Sequence, residues 1–219
     1  MEALILVLFL LIMILLGLEA YQVKRDRALL QHVVYVNGIR GKSTVTRMIA
    51  AGLKSGGWSV FCKTTGTVPR LIGTDGVERP LRRRGKANIR EQARVMRMAV
   101  REHAQVLVIE CMAVDPFLQE ISQRKIVRSD IGVITNVRLD HTEEMGLTLE
   151  EICDSLSRTI PEHGILYTAD TQFWGQMVRN AEKVGARVEL SRPADDLPNF
   201  DFPENVALAL AVCGELGVD

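Results

Sequence analysis

The chain reads Asn37-Gly38-Ile39-Arg40-Gly41-Lys42-Ser43-Thr44 between the apolar run Val33–Val36 and an amphipathic stretch that begins at Val45. This order predicts a strand, a glycine-rich loop and a helix. Two glycines let backbone N–H groups turn toward phosphate oxygens, and the helix N-terminus adds partial positive charge at the same point. We expect Lys42 to reach the β- and γ-phosphates of a nucleotide and Ser43 to ligate Mg²⁺. A glycine-rich turn that only caps a helix is the alternative. The general phosphate-loop pattern would also have glycine at the position of Val36.

Composition argues against one class of partner. The chain has 219 residues, with 27 Lys and Arg against 27 Asp and Glu, so its net charge is zero. Nucleic-acid-binding proteins carry a basic excess, and we therefore expect no nucleic-acid partner. The four cysteines, at positions 62, 111, 153 and 213, have neither zinc-ligand nor disulfide spacing. Single cysteines this far apart in sequence are typical of buried thiols in a reducing compartment.

An uncharged apolar run covers Ala3–Leu18. As a helix it rises about 24 Å, which with its flanks predicts one membrane-spanning helix. A cleaved signal peptide is the alternative, but no basic residue precedes the run and no clear cleavage site follows it. Lys24, Arg25 and Arg27 all follow the run, so the positive-inside rule puts the rest of the chain in the cytoplasm.

Apolar runs alternate with helical patterns along the rest of the chain. This alternation predicts an α/β fold with a mostly parallel sheet, whose ligands bind at the carboxyl ends of the strands. The segment Pro69–Asn88 has the weakest pattern and predicts a β-hairpin or an excursion beside the site. The predicted strands are His32–Val36, Ser59–Thr64, Val106–Glu110, Ile131–Thr135, Gly164–Thr168 and Arg187–Leu190. The predicted helices are Lys42–Ser55, Ile89–Glu102, Pro116–Gln123, Leu149–Ile160, Phe173–Val184 and Pro203–Leu216.

Acidic side chains and a histidine follow two of these strands. Glu110 ends a buried strand, where it can reach a metal held by the loop, although an acid that merely opens a loop is the alternative. Asp115 precedes a proline and is predicted to cap a helix. His141 follows the next strand, and Asp140 or Glu143 can accept one imidazole N–H while the other nitrogen binds a metal. A surface Asp–His pair is the alternative.

The order of phosphate loop, strand-end Glu and Asn-x-x-x-Asp-His resembles the central ATPase domain of the Mur ligase superfamily, which includes folylpolyglutamate synthase. A closer resemblance is to the PgsB/CapB family, the ligase subunits of bacterial poly-γ-glutamate synthases, and it runs from the apolar helix to Ala209. In the Mur pattern Gly38 is the first required glycine, so Val36 is an ordinary strand residue. The segments that carry the closer resemblance are Asn37–Arg47, Lys63–Thr67, Glu110–Val114, Thr159–Pro161 and Phe202–Ala209.

The resemblance implies a reaction and a set of roles. In the family ATP phosphorylates a carboxylate, and an amine attacks the acyl phosphate to form an amide. The implied catalytic residues are Lys42, Glu110 and His141, with Mg²⁺ on Ser43 and Glu110 and a second Mg²⁺ near Glu110 and His141. Residues 37–44 would hold ATP, and Asn205 would lie near the adenine. Three threonines would line the substrate side, unless they form an ordinary turn: Thr64, Thr65 and Thr67.

The chain also departs from the family pattern. Glu143 stands where relatives often have Asp, and the helix Leu149–Arg158 has no Lys of the kind that many Mur ligases modify to hold the second metal. Either that metal is held differently, or Glu143 or Glu144 contributes. We expect a transmembrane anchor over residues 1–23, a connector over 24–31 and a Mur ligase-like ATP-binding domain over 32–219. The C-terminal domain that closes such ligases is expected to be missing or truncated.

These features lead to one principal hypothesis and two alternatives. The chain is expected to be a membrane-anchored ligase that makes poly-γ-glutamate from glutamate and the growing chain, with integral-membrane synthase subunits of PgsC/CapC and PgsA/CapA type as partners. The alternatives are a folylpolyglutamate synthase-like ligase and an ATP-binding regulatory or assembly protein of an envelope polymer export system. The basic cluster Arg82–Lys86 is either a solvated loop or an attractor of polyglutamate or lipid head groups. Asn88 is expected to cap the helix that follows.

Overall fold

One mixed sheet organises the chain, and the computed structural model describes it over residues 1–66, 68–83, 85, 87–194 and 201–218. Thr67, Arg84 and Lys86, named above, lie outside these residues. The strands are β1 (His32–Asn37), β2 (Val60–Thr64), β3 (Arg70–Ile72), β4 (Glu78–Pro80), β5 (Val106–Glu110), β6 (Ile131–Ile134), β7 (Ile165–Thr168) and β8 (Arg187–Leu190). The helices are α1 (Glu2–Ala28), α2 (Lys42–Ser55), α3 (Arg90–Arg101), α4 (Pro116–Ile121), α5 (Thr142–Met145), α6 (Leu149–Leu156), α7 (Trp174–Glu182) and α8 (Pro203–Glu215).

The strand order places the phosphate loop at the centre of the sheet. The order is β4-β3-β2-β5-β1-β6-β7-β8, and the six strands from β2 to β8 in this order are parallel. Strands β3 and β4 pair antiparallel beside β2, so the hairpin predicted for Pro69–Asn88 is confirmed. β1 has β5 on one side and β6 on the other, so the chain reverses its direction of winding there. Ligands bind at such switch points in open α/β sheets.

Helices cover both faces of the sheet. Alternate residues of β1 point to opposite faces, so Val34 and Val36 pack under α2 and α8 while Val33 and Tyr35 pack on the α3 side. A further buried cluster packs α6 and α7 against β6 and β7. The α/β fold with a mostly parallel sheet is therefore confirmed, as are all six predicted strands.

Two predicted α-helices change to another helix type before their predicted ends. The helix predicted over Pro116–Gln123 becomes a π-helical turn at Ser122–Val127, in which the buried neighbours Ser122 and Gln123 both bond inside the protein. The helix predicted over Leu149–Ile160 ends at Leu156 and continues as a 3-10 turn over Ser157–Thr159. Pro161 explains the stop, because the residue before a proline is pushed to the extended conformation that Ile160 adopts.

The N-terminal helix has two different halves. Residues 4–16 of α1 expose about half or more of each large apolar side chain, and the apolar window has a mean hydropathy of 2.9 with none of it buried. The helix continues without a break to Ala28, so the first residues of the expected connector are helical. Val23 and Asp26 are buried against the domain. The N-terminal half of this helix is thus exposed, while its C-terminal half packs against α3 and the π-helical turn.

Candidate functional site: a phosphate loop and an adjoining cationic pocket

The glycine-rich loop has the tight conformation that its sequence predicts. Gly38 and Gly41 adopt φ values of 124° and 82°, which strongly favour glycine. A Cβ on Gly38 would lie 2.1 Å from Thr135 Oγ1 and 2.8 Å from its backbone nitrogen. Lys42 begins α2 and its Nζ donates to the carbonyl oxygens of Gly38 (2.7 Å) and Ile39 (3.2 Å). Burial lowers the pKa of Lys42, and the charge of Glu110 opposes that shift.

Ser43 and Glu110 meet, as their places in the sequence predict. The Ser43 hydroxyl donates to Glu110 Oε2 at 2.7 Å. Thr65 donates to the same carboxylate from its backbone N–H (2.7 Å) and from its hydroxyl. Glu110 is therefore held at the end of β5 by groups from α2 and from the residue that follows β2. Thr64 is buried, so it is Thr65 that lies at the open side of this arrangement.

The loop after β6 fixes the phosphate loop from the other side. Asn136 accepts from the backbone N–H of Arg40 (3.1 Å) and donates to its carbonyl oxygen (3.0 Å), and the Thr135 hydroxyl donates to the same oxygen (2.6 Å). The Arg40 side chain pairs with Asp140 at 2.8 Å. Asp140 also accepts from the backbone N–H of His141, so its carboxylate serves Arg40 and the backbone instead of the imidazole. The interaction that the sequence suggested between Asp140 and the histidine ring is not the one that forms.

Lys42 and His141 border one pocket, of about 240 Å³, although 98 residues of sequence lie between them. The pocket also includes Thr65 and Arg83, and its described lining contains no Asp or Glu. Asn37 touches the pocket, but its side chain is buried and donates to Gln119 and Thr159 inside the protein. Asp115 caps α4 by accepting from Leu118, as predicted.

A second, larger groove lies on the other side of the loop. It has a volume of about 890 Å³ and extends from Gly41 and Thr44 to Asp170 and to the start of α8. Asn205 lies here: a Cβ on Gly41 would be 3.0 Å from its Oδ1. The structure therefore puts Asn205 against the phosphate loop, on the side away from Glu110 and the pocket. A nucleotide base fits a groove of this size and position.

A buried charge network beneath the pocket was not predicted from the sequence. Lys63 is fully buried and pairs with Glu91 at 3.2 Å, and Arg83 donates two hydrogen bonds to the same carboxylate at 2.7 and 3.1 Å. Lys63 also donates to Gln92, whose amide donates to the carbonyl oxygen of Glu110. Arg83 is thus fixed by an ion pair and is not part of a merely solvated basic loop. Its spacing of eight residues from Glu91 gave no sequence signal for this contact.

Of the three predicted metal ligands, only two contact each other directly. Ser43 and Glu110 are hydrogen-bonded, and His141 lies across the pocket on an exposed loop, in a left-handed conformation with φ of 51°. Among the described residues, no three His, Cys, Asp or Glu side chains come together as a metal cluster. Oxygen donors from one carboxylate and one hydroxyl nevertheless suit Mg²⁺, which keeps several waters and binds substrate phosphates. The four cysteines are free and buried, as predicted.

Comparison with known proteins agrees with this geometry. The model of the Mur ligase middle domain matches residues 36–192, from the end of β1 to just beyond β8. The chain belongs to the Mur ligase family. The match contains the phosphate loop, Glu110 and the loop that carries His141, so the family resemblance predicted from the sequence is confirmed.

Two curated relatives are similar over most of the chain. The capsule biosynthesis protein CapB of Bacillus anthracis is 42% identical over 196 residues, which are 85% of this chain and 42% of that protein. The PGA synthase CapB of Bacillus subtilis is 41% identical over 195 residues, which are 85% of this chain and 50% of that protein. The chain therefore spans half or less of the length of these relatives.

Solved structures share the fold. A bifunctional folylpolyglutamate synthase/dihydrofolate synthase of Yersinia pestis, complexed with AMPPNP and Mn ion, matches with a TM-score of 0.67 at 18% identity, over 92% of this chain and 58% of that one. The FolC protein of E. coli, in complex with DHPP and ADP, matches with a TM-score of 0.63 at 16% identity, over 92% and 57% of the two chains. At these identities the likeness concerns the fold.

Proposed function

We propose that the chain is the ATP-binding part of a membrane-anchored, ATP-dependent acid–amino-acid ligase that makes poly-γ-glutamate. The observation that carries this proposal is the pocket shared by Lys42, Arg83 and His141 beside the Ser43–Glu110 pair. A cationic pocket next to a phosphate loop suits a carboxylate substrate that must approach a γ-phosphate. Similarity to the two CapB proteins supports glutamate as the substrate.

The proposed reaction forms an amide through an acyl phosphate. A carboxylate oxygen attacks the γ-phosphorus of ATP and ADP leaves; an amine then attacks the acyl carbon and phosphate leaves. Lys42 supplies positive charge between the two anions, and residues 38–44 hold the phosphates through backbone N–H groups. Mg²⁺ at Ser43 and Glu110 would neutralise phosphate charge and keep the transferred group in line. His141 faces the same pocket and is proposed to hold the acceptor carboxylate, with the second metal.

Arg83 gives the pocket a means of choosing between two carboxylates. A terminal γ-linked glutamate carries an α- and a γ-carboxylate, and only the γ-carboxylate is to be phosphorylated. Glu91 fixes Arg83 through Nε and Nη2, which leaves its remaining N–H groups for a substrate oxygen. We assign Arg83 to the α-carboxylate, so that the γ-carboxylate is directed toward Lys42. Thr65 is then a group that positions Glu110.

The exposed half of α1 supports the membrane part of the proposal. Its apolar residues suit a single span, and the basic residues 24, 25 and 27 follow it, which supports a cytoplasmic ATP-binding domain, where ATP is available. Integral-membrane subunits of PgsC/CapC and PgsA/CapA type are the proposed partners. The proposed anchor covers residues 1–23, and the proposed ATP-binding domain begins with β1 at residue 32.

The test measures ADP release and polymer in membranes that contain the chain, supplied with ATP, Mg²⁺ and glutamate. Polymer formation should require all three, and Lys42→Ala should abolish it. Lys54→Ala is the matched control, because this lysine lies in the last turn of the same helix and its side chain donates to the carbonyl oxygen of Thr74, away from the phosphate loop. ATP turnover that needs no glutamate and gives no polymer would favour the regulatory alternative. Amide formation only with a folate substrate would favour the folylpolyglutamate synthase-like one.

A further inference from the structure

Helices α1 and α3 lie side by side and run in the same direction. Arg90 pairs with Glu19 at 2.6 Å, and seven residues further along both helices Arg97 pairs with Asp26 at 3.2 Å. Arg97 also donates to Gln22 at 2.7 Å. Since the first and last contacts share the same offset in sequence number, the two helices are parallel over this stretch. Asp26 is almost completely buried, so the contact is fixed.

The carboxyl ends of the parallel strands form the proposed catalytic edge of the sheet, and the start of α3 lies at this edge. Glu91, in its first turn, pairs with Lys63 near the end of β2, and Gln92 bonds to Glu110 at the end of β5. Glu19 of α1 is therefore level with the edge that carries the phosphate loop and the pocket. Because α1 and α3 are parallel, the residues of α1 that precede Glu19 extend away from the domain beyond that same edge.

We propose that the catalytic edge faces the membrane, and that a cavity between α1 and α3 binds the anionic head groups of phospholipids. This inference rests on the proposed membrane anchor. The apolar run ends at Leu18, so the bilayer boundary lies at Glu19, beside the start of α3. The carboxyl ends of the strands then point toward the lipid surface, and their amino ends point toward the cytoplasm.

The cavity has the depth and the charge that a head group requires. It has a volume of about 400 Å³. Glu19 and Val23 line it four residues apart, which spans about 6 Å of helix. The head-group layer of one leaflet is about 5–7 Å thick, so the part of the cavity between Glu19 and Val23 lies within it. Its charged lining has two more arginines than glutamates and comprises Arg83, Arg90, Arg94, Arg97, Glu19 and Glu91.

The arginines of the cavity are held in place for an anion. Arg90 and Arg97 each bond a carboxylate with part of the guanidinium, which fixes the group and leaves other N–H donors free. Arg94 has no ion pair among the described residues. Guanidinium groups bind phosphate oxygens through paired hydrogen bonds, so a lipid phosphate is a better fit than a neutral head group.

The orientation is tested with the full chain in lipid nanodiscs. Arg82→Cys and Arg101→Cys each remove one exposed arginine, the first from the segment that precedes α3 and the second from its C-terminal end. The native cysteines are buried and will not compete for the label. A fluorophore at position 82 should be quenched by lipids that carry a nitroxide on the head group, and one at position 101 should not. Equal quenching, or stronger quenching at 101, would overturn the orientation. A chain that alkaline extraction removes from membranes would instead refute the anchor, and the orientation with it.

The lipid site is tested by comparing spin-labelled phosphatidylglycerol with spin-labelled phosphatidylcholine around the chain in electron paramagnetic resonance. The wild type should restrict the anionic lipid preferentially, and Arg94→Gln should reduce that preference about fivefold. Arg101→Gln, which removes the same charge from the far end of the helix, should leave it unchanged. Equal loss in both variants would show a non-specific charge effect and overturn the site. No preference for the anionic lipid, together with Arg94-dependent binding of soluble poly-γ-glutamate, would identify a polymer site and also overturn it.

Discussion

Removal of the Glu91 carboxylate should destabilise the protein far more than removal of an exposed acid. Glu91 exposes 3% of its side chain and Lys63 exposes none, so Glu91→Gln leaves a buried ammonium group without its counter-charge. Breaking a buried ion pair from one side costs about 3–5 kcal/mol. For a chain of this length each kcal/mol lowers the melting temperature by about 2–4 °C, so the expected loss is about 6–20 °C.

The control variants separate this effect from ordinary loss of an ion pair. Glu78 pairs with Arg47 at 2.7 Å, but both side chains are more than one-third exposed, so Glu78→Gln should cost less than about 1 kcal/mol. The double variant Lys63→Met with Glu91→Leu removes both buried charges and should recover most of the lost stability. Arg83 remains partly exposed and can be hydrated in that variant.

The assay is thermal unfolding in detergent micelles, followed by circular dichroism with the same detergent and salt for every variant. Two results would refute the reasoning. One is a loss for Glu91→Gln that is no larger than the loss for Glu78→Gln. The other is a double variant that is no more stable than Glu91→Gln, because the penalty would then not come from the unpaired lysine.

Four further predictions follow from the site. His141→Ala should lower acyl-phosphate formation, trapped as a hydroxamate, by about 10²-fold with little change in ATP affinity. Glu110→Gln should raise the Mg²⁺ concentration for half-maximal ADP release by about 10- to 100-fold. Gly38→Ala should cost at least about 1–3 kcal/mol and prevent nucleotide binding, whereas Gly214→Ala, with open space around it, should be tolerated in both measurements. Burial would raise the pKa of Glu91, but Arg83 and Lys63 lower it below 4.5. The contribution of Glu91 to stability should therefore be complete above pH 4.5 and be lost as the pH falls through the folded pKa. Glu91→Gln should flatten this acid transition in unfolding measurements.

The sequence predicted those parts of the fold that depend on local patterns. The phosphate loop, the strands and the meeting of Ser43 with Glu110 follow from apolar runs and from the rule that parallel strands end at one edge. The Lys63–Glu91–Arg83 network could not be found in this way, because its residues lie on separate elements and charged side chains usually point to solvent. For the same reason Asp140 could be placed beside His141 but its actual partner, Arg40, could not be identified.

The arrangement of charge explains why a chain with no net charge can host two anionic reactants. Two unit charges 4 Å apart interact by about 4 kcal/mol near a protein surface, so a γ-phosphate and a carboxylate would repel each other strongly in a neutral pocket. Lys42 and Arg83 border that pocket, while the nearest acids, Glu110 and Glu91, are buried behind its surface. Glu91 fixes Arg83 and two backbone carbonyl oxygens fix Lys42 from the protein side, so both positive groups face the substrate. If the catalytic edge also faces an anionic lipid surface, arginines with their acids on the protein side can bind the lipid phosphates. This positive charge then limits repulsion between the membrane and a polyanionic product.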